Sequence, residues 1–210
     1  SGNIPPLPGA LVRYRIVDQT LYRYFPPGEE ISLQDNSTEL ALKTLLALTP
    51  LPDLDFFLSY LDGITAPHPY STPILASAKV ASVDRVILIP DWRSIGDWWV
   101  SNIKELSSKG PLFPWEQKKG IALWRGSFTK QIRKKLCQLS LLAPELLNAK
   151  FNSEPDPLRR RELEEEHLFG ERVSWEEFLS HKYLPVLDGA VTASPAFQWR
   201  LLSASLTLHP

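Results

Sequence analysis

Trp115-Glu116-Gln117-Lys118-Lys119, followed by Ala122-Leu123-Trp124-Arg125-Gly126-Ser127-Phe128-Thr129, is the stretch on which the reading of this chain turns. Residues 121–124 form a short apolar run with strand character, and 129–139 read as a helix with Ile132, Leu136 and Leu139 on one side. A strand leaving a sheet in this way sets Arg125 at its carboxyl end, where ligands sit in open α/β sheets. Gly126 then lets the backbone turn tightly, and Ser127 and Thr129 supply hydroxyls at the helix start. Unpaired N–H groups and the helix dipole favour an anion there, and a guanidinium can add bidentate contacts to a phosphate. A plainer reading has equal standing on these residues alone: Ser127 or Thr129 caps the helix and Arg125 pairs with a surface carboxylate.

Outward from this stretch, short strands alternate with helices. Residues 4–36 are rich in proline and read as irregular, with one strand near 11–16. Asn36 and Glu39 form a capping pattern that opens a leucine-rich helix ended by Pro50 and Pro52. Strands are expected at 54–61, 74–78 and 85–89, then a helix capped by Ser94 that runs to about 107. Beyond the central stretch come a strand near 149–152, a charged helix within 156–167 and a helix from Ser174 to 181 with Glu177 in its capping box. A strand at 183–187, a helix at 195–203 and a last strand at 205–209 complete the pattern. It predicts an α/β architecture with mostly parallel strands, divided near 108–114 where turn residues cluster.

Composition narrows the function. With 23 basic and 24 acidic residues the formal charge is −1, so the whole chain offers no electrostatic basis for a nucleic-acid partner. No apolar run reaches the roughly 20 residues of a membrane span, and no basic-plus-apolar leader opens the chain. Cys137 is the only cysteine, which rules out an intrachain disulfide and leans toward a reducing compartment. The four histidines lack ligand spacing, so zinc has no support. Lys130, Arg133, Lys134 and Lys135 read as a solvated helix face. Seven tryptophans are many for this length, and Trp92 and Trp98, in Asp91-Trp92-Arg93-Ser94-Ile95-Gly96-Asp97-Trp98, can wall a cleft or fill a core.

The pattern W-x-x-K-K followed by W-R-G-S-x-T resembles the hallmark of glycosyltransferase family 90, which includes Rumi-like protein O-glucosyltransferases, capsule-associated xylosyltransferases and lipopolysaccharide-modifying enzymes. His181-Lys182-Tyr183-Leu184 with Leu187-Asp188-Gly189 is similar to a second block of the family, and Leu201-Leu202-Ser203-Ala204-Ser205-Leu206-Thr207-Leu208 to its sequel. Leu51-Pro52-Asp53-Leu54-Asp55 with Leu61-Asp62-Gly63 resembles a third. The resemblance implies a GT-B arrangement of two Rossmann-like halves, here 1–110 on the acceptor side and 111–210 holding the donor nucleotide. It implies inverting, metal-independent transfer from a nucleotide sugar, UDP-glucose or UDP-xylose, to a hydroxyl of a glycan, a lipopolysaccharide or a protein serine.

On this resemblance Asp62 is the general base, although a turn-forming Asp-Gly reads the same way. Trp124, Arg125, Gly126, Ser127 and Thr129 hold the donor phosphates, with Trp92, Trp98 and Asp188 as cleft wall. No cofactor beyond the co-substrate and no metal is implied. Asp53-Leu54-Asp55 is formally a metal-type D-x-D, but no further oxygen ligands cluster with it. Departures are visible too. Leu61 stands where an arginine often precedes the base, and 193–197 lacks the arginine that faces the diphosphate, leaving Arg200 as the nearest substitute. Family members usually continue for roughly 100 residues more, which implies a shortened member with an incomplete second half. The expected setting is a bacterial cytoplasm, with the secretory lumen as the alternative. A relative that binds a sugar nucleotide without turnover is the competing reading.

Overall fold

The structure is a computed structural model and describes residues 11–24, 37–189 and 195–209. Two compact units, Ser1–Val100 and Ser101–Pro210, divide the chain.

The first unit carries a five-stranded sheet in the order β2-β1-β3-β4-β5. Strands β1 (Leu11–Val17) and β2 (Thr20–Tyr24) form a hairpin absent from the sequence reading. Its two-residue turn holds Asp18 and Gln19 at φ 47° and 60°. Hairpin turns need such positive φ values, and Asn-Gly normally signals them, so Asp-Gln gave no cue. Strand β1 runs antiparallel to both β2 and β3 (Leu54–Ser59), whereas β3, β4 (Ile74–Ala76) and β5 (Val86–Leu88) are parallel.

The D-x-D carboxylates are engaged in holding this hairpin. Asp55 accepts from Arg13 Nε at 2.9 Å across the β1–β3 pair, and Asp53 accepts from the Asp18 amide at 3.1 Å. Helix α1 (Ser37–Leu48) supplies Glu39, which is 9% exposed. Its carboxylate receives the Tyr14 hydroxyl at 2.9 Å and ion pairs from Arg23 and Lys43, each at 2.7 Å. Asn36 lies outside the described residues. Where one helix capped by Ser94 was expected, α2 (Trp92–Ile95) and α3 (Asp97–Lys109) are separated by Gly96. Asp91 is the capping residue, taking the Arg93 amide on its side chain at 2.9 Å. The division at Val100 falls inside α3, ahead of the Gly-Pro stretch that follows it.

The second unit is built on a four-stranded, wholly parallel sheet in the order β7-β6-β8-β9. These strands are β6 (Lys119–Ser127), β7 (Leu147–Ser153), β8 (His181–Pro185) and β9 (Leu206–Leu208). From β6 the chain passes through α4 (Gln131–Leu142) to β7 on one side. It then returns through α5 (Pro157–Glu165) and α6 (Trp175–Leu179) to β8 on the other side, and through α7 (Pro195–Leu201) to β9. That reversal places a topological switch point between β6 and β8. Ser174 caps α6 as expected, its hydroxyl accepting from the Glu177 amide at 3.3 Å, while the Glu177 carboxylate pairs with Lys119 at 2.9 Å. Asp156 caps α5 through the amides of Leu158 and Arg159, with Pro157 in the first turn.

Alternation along β6 sorts its side chains between two faces. Trp124 enters a core of Cys137, Ala149, Phe151, Leu163 and Leu168, while Leu123 and Arg125 project the other way. The buried face of α4 runs through Cys137 and Ser140. Ile132 and Leu139, expected to face inward, are 47% and 55% exposed.

Lys118, from the W-x-x-K-K block, lies at the opposite end of the sheet from the expected phosphate turn. It is 4% exposed, and its ammonium donates to Leu179 O at 2.7 Å, Ser205 Oγ at 2.9 Å and Ser203 O at 3.1 Å. These acceptors lie just before β8 and β9, so one cation ties together the amino ends of three neighbouring strands. Replacing Lys118 by methionine removes the donor from two buried carbonyls, those of Leu179 and Ser203, and from the part-buried Ser205 hydroxyl. The variant is expected to lose roughly 2–4 kcal/mol of stability, read from the denaturant midpoint.

Acid should weaken the first unit through Glu39. Burial acts to raise this carboxyl, but hydrogen bonds from Lys43 and Tyr14 and the charges of Arg23 and Lys43 outweigh it, so the group sits below its ordinary value. A carboxyl lowered by folding stabilises the fold above the unfolded value and loses that contribution as pH falls. The melting temperature should therefore decline between about pH 5 and pH 3, and Glu39→Gln should start lower at neutral pH and decline less steeply.

Candidate functional site

The carboxyl ends of β6 and β8 flank the switch point, and Arg133 joins them. Its Nη1 donates to Ser127 O at 3.0 Å, Nη2 to Leu187 O at 2.7 Å and Nε to Asp188 O at 3.1 Å. All three guanidinium nitrogens are thereby committed to backbone carbonyls. The sequence reading left this residue on a solvated helix face. The missed signal was its spacing: Arg133 lies four residues before Cys137 and seven before Ser140, the two buried positions of α4. Gly189 makes room for it, since a Cβ there would lie 3.1 Å from Arg133 Nη2 and 3.8 Å from Thr129 Oγ1. Ser127, Thr129, Arg133 and Gly189 thus converge at the mouth of the crevice.

On the face of β6 opposite α4, a cavity of about 350 Å³ is walled chiefly by Arg125, Asn152, Ser174, Trp175, Trp199 and Arg200. Arg200 is 3% exposed, donates from Nη1 to Ala196 O at 2.7 Å, and has no hydrogen-bond partner for its buried Nε among the described residues. Its guanidinium stacks over Trp199, 4.3 Å from the ring centroid. Burial, with the nearby Arg133 charge adding to it, pushes the group down to about 10. Arg125 donates to Trp124 O at 2.8 Å and to Asn148 Oδ1 at 3.0 Å, and burial lowers it as well. Arg133 is lowered for the same reason. Arg133 and Arg200 lie near one another at the carboxyl end of the sheet, while the Arg125 guanidinium reaches back to Asn148 near the start of β7. Asp188 acts on Arg133 and Glu177 on Arg125, whereas Arg200 has burial and the Arg133 charge acting on it. Such an arrangement attracts an anion, because a buried cation without a counter-charge is costly.

Other expected site residues fall differently. Trp124 is 2% exposed and packs edge-on against Phe151 at 5.7 Å, so its ring belongs to the core rather than to a cleft. Gly126 is still within β6, and its register shifts there relative to β7. It does not open a helix directly: α4 starts at Gln131, and Lys130 precedes it without a side-chain cap, so Ser127 ends β6 and Thr129 lies in the connection. Asp188 follows β8 with its carboxylate 3.5 Å from His209 Nε2.

In the first unit, Asp62 lies three residues past β3. Its carboxylate is 62% exposed and 3.7 Å from Arg93 Nη2, and its carbonyl accepts from Ser77 Oγ at 3.2 Å. Trp92 and Trp98 lie on α2 and α3, and their side chains are outside the described residues, as are positions 193 and 194. Cys137 is buried, which pushes its thiol up to about 12 and leaves it inert as a nucleophile.

A doubly wound parallel unit with cationic groups at its switch point belongs to the class of α/β domains that seat ligands outside the carboxyl ends of their strands. The match to the model of glycosyl transferase family 90 covers residues 8–210, and the chain belongs to that family. It is 29% identical to the O-glucosyltransferase rumi of Drosophila pseudoobscura pseudoobscura and 28% identical to that of Drosophila melanogaster, in each case over 94% of this chain and 50% of the relative. The O-glucosyltransferase rumi homolog of Aedes aegypti is 26% identical over 94% of this chain and 51% of the relative. The chain thus spans about half the length of the curated relatives it matches. Among the described residues no helix is long and apolar enough to cross a membrane.

Gly126 provides a test of how tightly this end of β6 is packed. A Cβ there would meet Trp124 Cζ2 at 2.6 Å and Cη2 at 2.9 Å, within a ring that the core holds in place. Gly126→Ala is expected to cost about 1–3 kcal/mol by overpacking and to perturb the near-ultraviolet tryptophan signal, whereas Gly120→Ala, with open space around it, should change neither.

Proposed function

We propose that the second unit holds the nucleoside diphosphate of a sugar donor and that the protein transfers the sugar to a hydroxyl. The observation that carries this reading is Arg200, a buried guanidinium with an unpartnered Nε in a cavity shared with Arg125 and close to Arg133. The nucleoside occupies the cavity, where Trp175 and Trp199 offer ring faces and edges and Asn152 and Ser174 offer polar groups. The diphosphate lies toward the crevice, within reach of Ser127, Thr129 and the arginine cluster. A glucosyl-type hexose is the sugar, in keeping with the relatives' names, and uridine is the proposed nucleoside.

Departure of the sugar leaves negative charge on the diphosphate. Preorganised guanidiniums in a desolvated site stabilise that charge as it develops, without a metal. Asp62 acts as general base on the acceptor hydroxyl in a fold of GT-B type, and inversion follows from a single displacement. Because the relatives are insect O-glucosyltransferases, a protein hydroxyl in the secretory lumen is preferred over a bacterial lipopolysaccharide as the acceptor setting.

The decisive substitution is Arg200→Leu. A buried arginine lacking a counter-charge adds little to stability, and an apolar residue of similar volume can take its place. The variant should therefore fold with an equal or higher melting temperature, yet bind UDP roughly 10–100-fold more weakly while uridine binding is unchanged. An undiminished UDP-induced thermal shift would remove Arg200 from the site. Turnover of UDP-glucose by the wild-type chain, lost in Asp62→Asn with UDP binding retained, supports transfer, whereas binding without turnover in the wild type favours a binding-only relative.

A further inference from the structure

In the first unit a buried hydrogen-bonded chain runs from Glu39 to the turn that carries Asp62. Tyr14, fully buried on β1, donates its hydroxyl to Glu39 Oε2 at 2.9 Å, and its oxygen lies 3.0 Å from the Tyr60 hydroxyl. Tyr60 directly follows β3 and stands two residues before Asp62. The same turn is fixed at its far side, where the Ile64 amide donates to Ala78 O at 2.9 Å and Ile64 O accepts from the Val80 amide at 3.1 Å. Between these anchors the Leu61 amide donates to Ser59 Oγ at 3.2 Å, and Ser77 Oγ holds the Asp62 carbonyl. The Asp62 side chain is left exposed on a backbone held from both directions.

We infer that Tyr14 and Tyr60, anchored on Glu39, are positioning residues that set the conformation of the 60–64 turn and so aim the Asp62 carboxylate. The inference rests on the proposed role of Asp62 as base. The physical argument is one of rigidity. A glutamate already gripped by Arg23 and Lys43 gives the Tyr14 phenol a fixed acceptor, and Tyr14 in turn fixes Tyr60. Small misplacements of a catalytic group are costly, so a stiff support outside the reacting atoms affects rate more than binding. The position preceding Asp62 is Leu61, which is 44% exposed and can make no polar contact from its side chain, so orientation falls to its neighbours.

Tyr60→Phe, Tyr14→Phe and the double variant, made in the full chain, test this, with Tyr22→Phe on the exposed strand β2 as the control. Amide exchange at Leu61 and Ile64 and donor turnover with UDP-glucose are measured together. Each single variant should accelerate exchange at both amides and lower kcat about tenfold with KM for the donor within twofold, and the double variant should be no worse than either single one. The UDP-induced thermal shift should persist in all of them, and Tyr22→Phe should match the wild type. Unchanged exchange in both single variants overturns the inference whatever the turnover, and so does a loss of kcat accompanied by loss of the UDP shift. Faster exchange together with a wild-type chain that turns over no donor overturns the catalytic reading of Asp62, and the positioning role with it.

Discussion

Arg133 spans the switch point of the parallel sheet and gives every one of its guanidinium nitrogens to a carbonyl at the ends of β6 and β8. Adjacent parallel strands diverge beyond their last ladder bond, and their terminal carbonyls need donors. A single side chain from α4 meets that need and fixes the width of the crevice. It also leaves a desolvated positive charge there whose described hydrogen bonds all go to carbonyls, with Asp188 the carboxylate that acts on it. The demand for Gly189 follows from where this one group sits, and its charge adds to the burial that depresses Arg200.

The two ends of the second sheet treat buried cations in opposite ways. At the amino end the Lys118 ammonium is surrounded by three acceptors, two carbonyls and a hydroxyl, and closes the structure. At the carboxyl end Arg200 keeps a buried nitrogen without a partner. The first arrangement is complete within the chain, so it serves the fold. The second is incomplete among the described residues, which is the physical condition for a ligand to add stability by binding. Both cations sit in or near blocks shared with the family, and only their surroundings separate a structural role from a binding one.

Much of the architecture was legible because local rules and packing agreed. The parallel strands of the second unit, the Ser174 cap and the charged helix with its Arg160–Glu164 pair all follow from short-range chemistry. The β1–β2 hairpin was not legible, because Asp18 and Gln19 adopt positive φ without the glycine that advertises it. The helix expected from Ser94 broke at Gly96, since Asp91 offered the backbone a better cap. Ile132 and Leu139 suggested an inward face for α4, but β6 and β7 bury its Cys137 side instead.

Of the site, the order and type of residues around 124–129 were readable as a strand entering a polar turn, which local periodicity and glycine punctuation suffice to indicate. Which of those side chains meet a ligand was not. Alternation along β6 sends Trp124 into the core and Arg125 to the cavity, and that sorting depends on which face α4 covers. Arg133 and Arg200 are distant in sequence from Arg125 and gain meaning only when parallel pairing brings β6, β8 and α7 to one edge. Sequence by itself determined the family, the class of fold and the residue types available. The tertiary structure alone decided which cations are satisfied and which are left wanting an anion, because desolvation and hydrogen-bond completion are properties of surroundings that no linear spacing encodes.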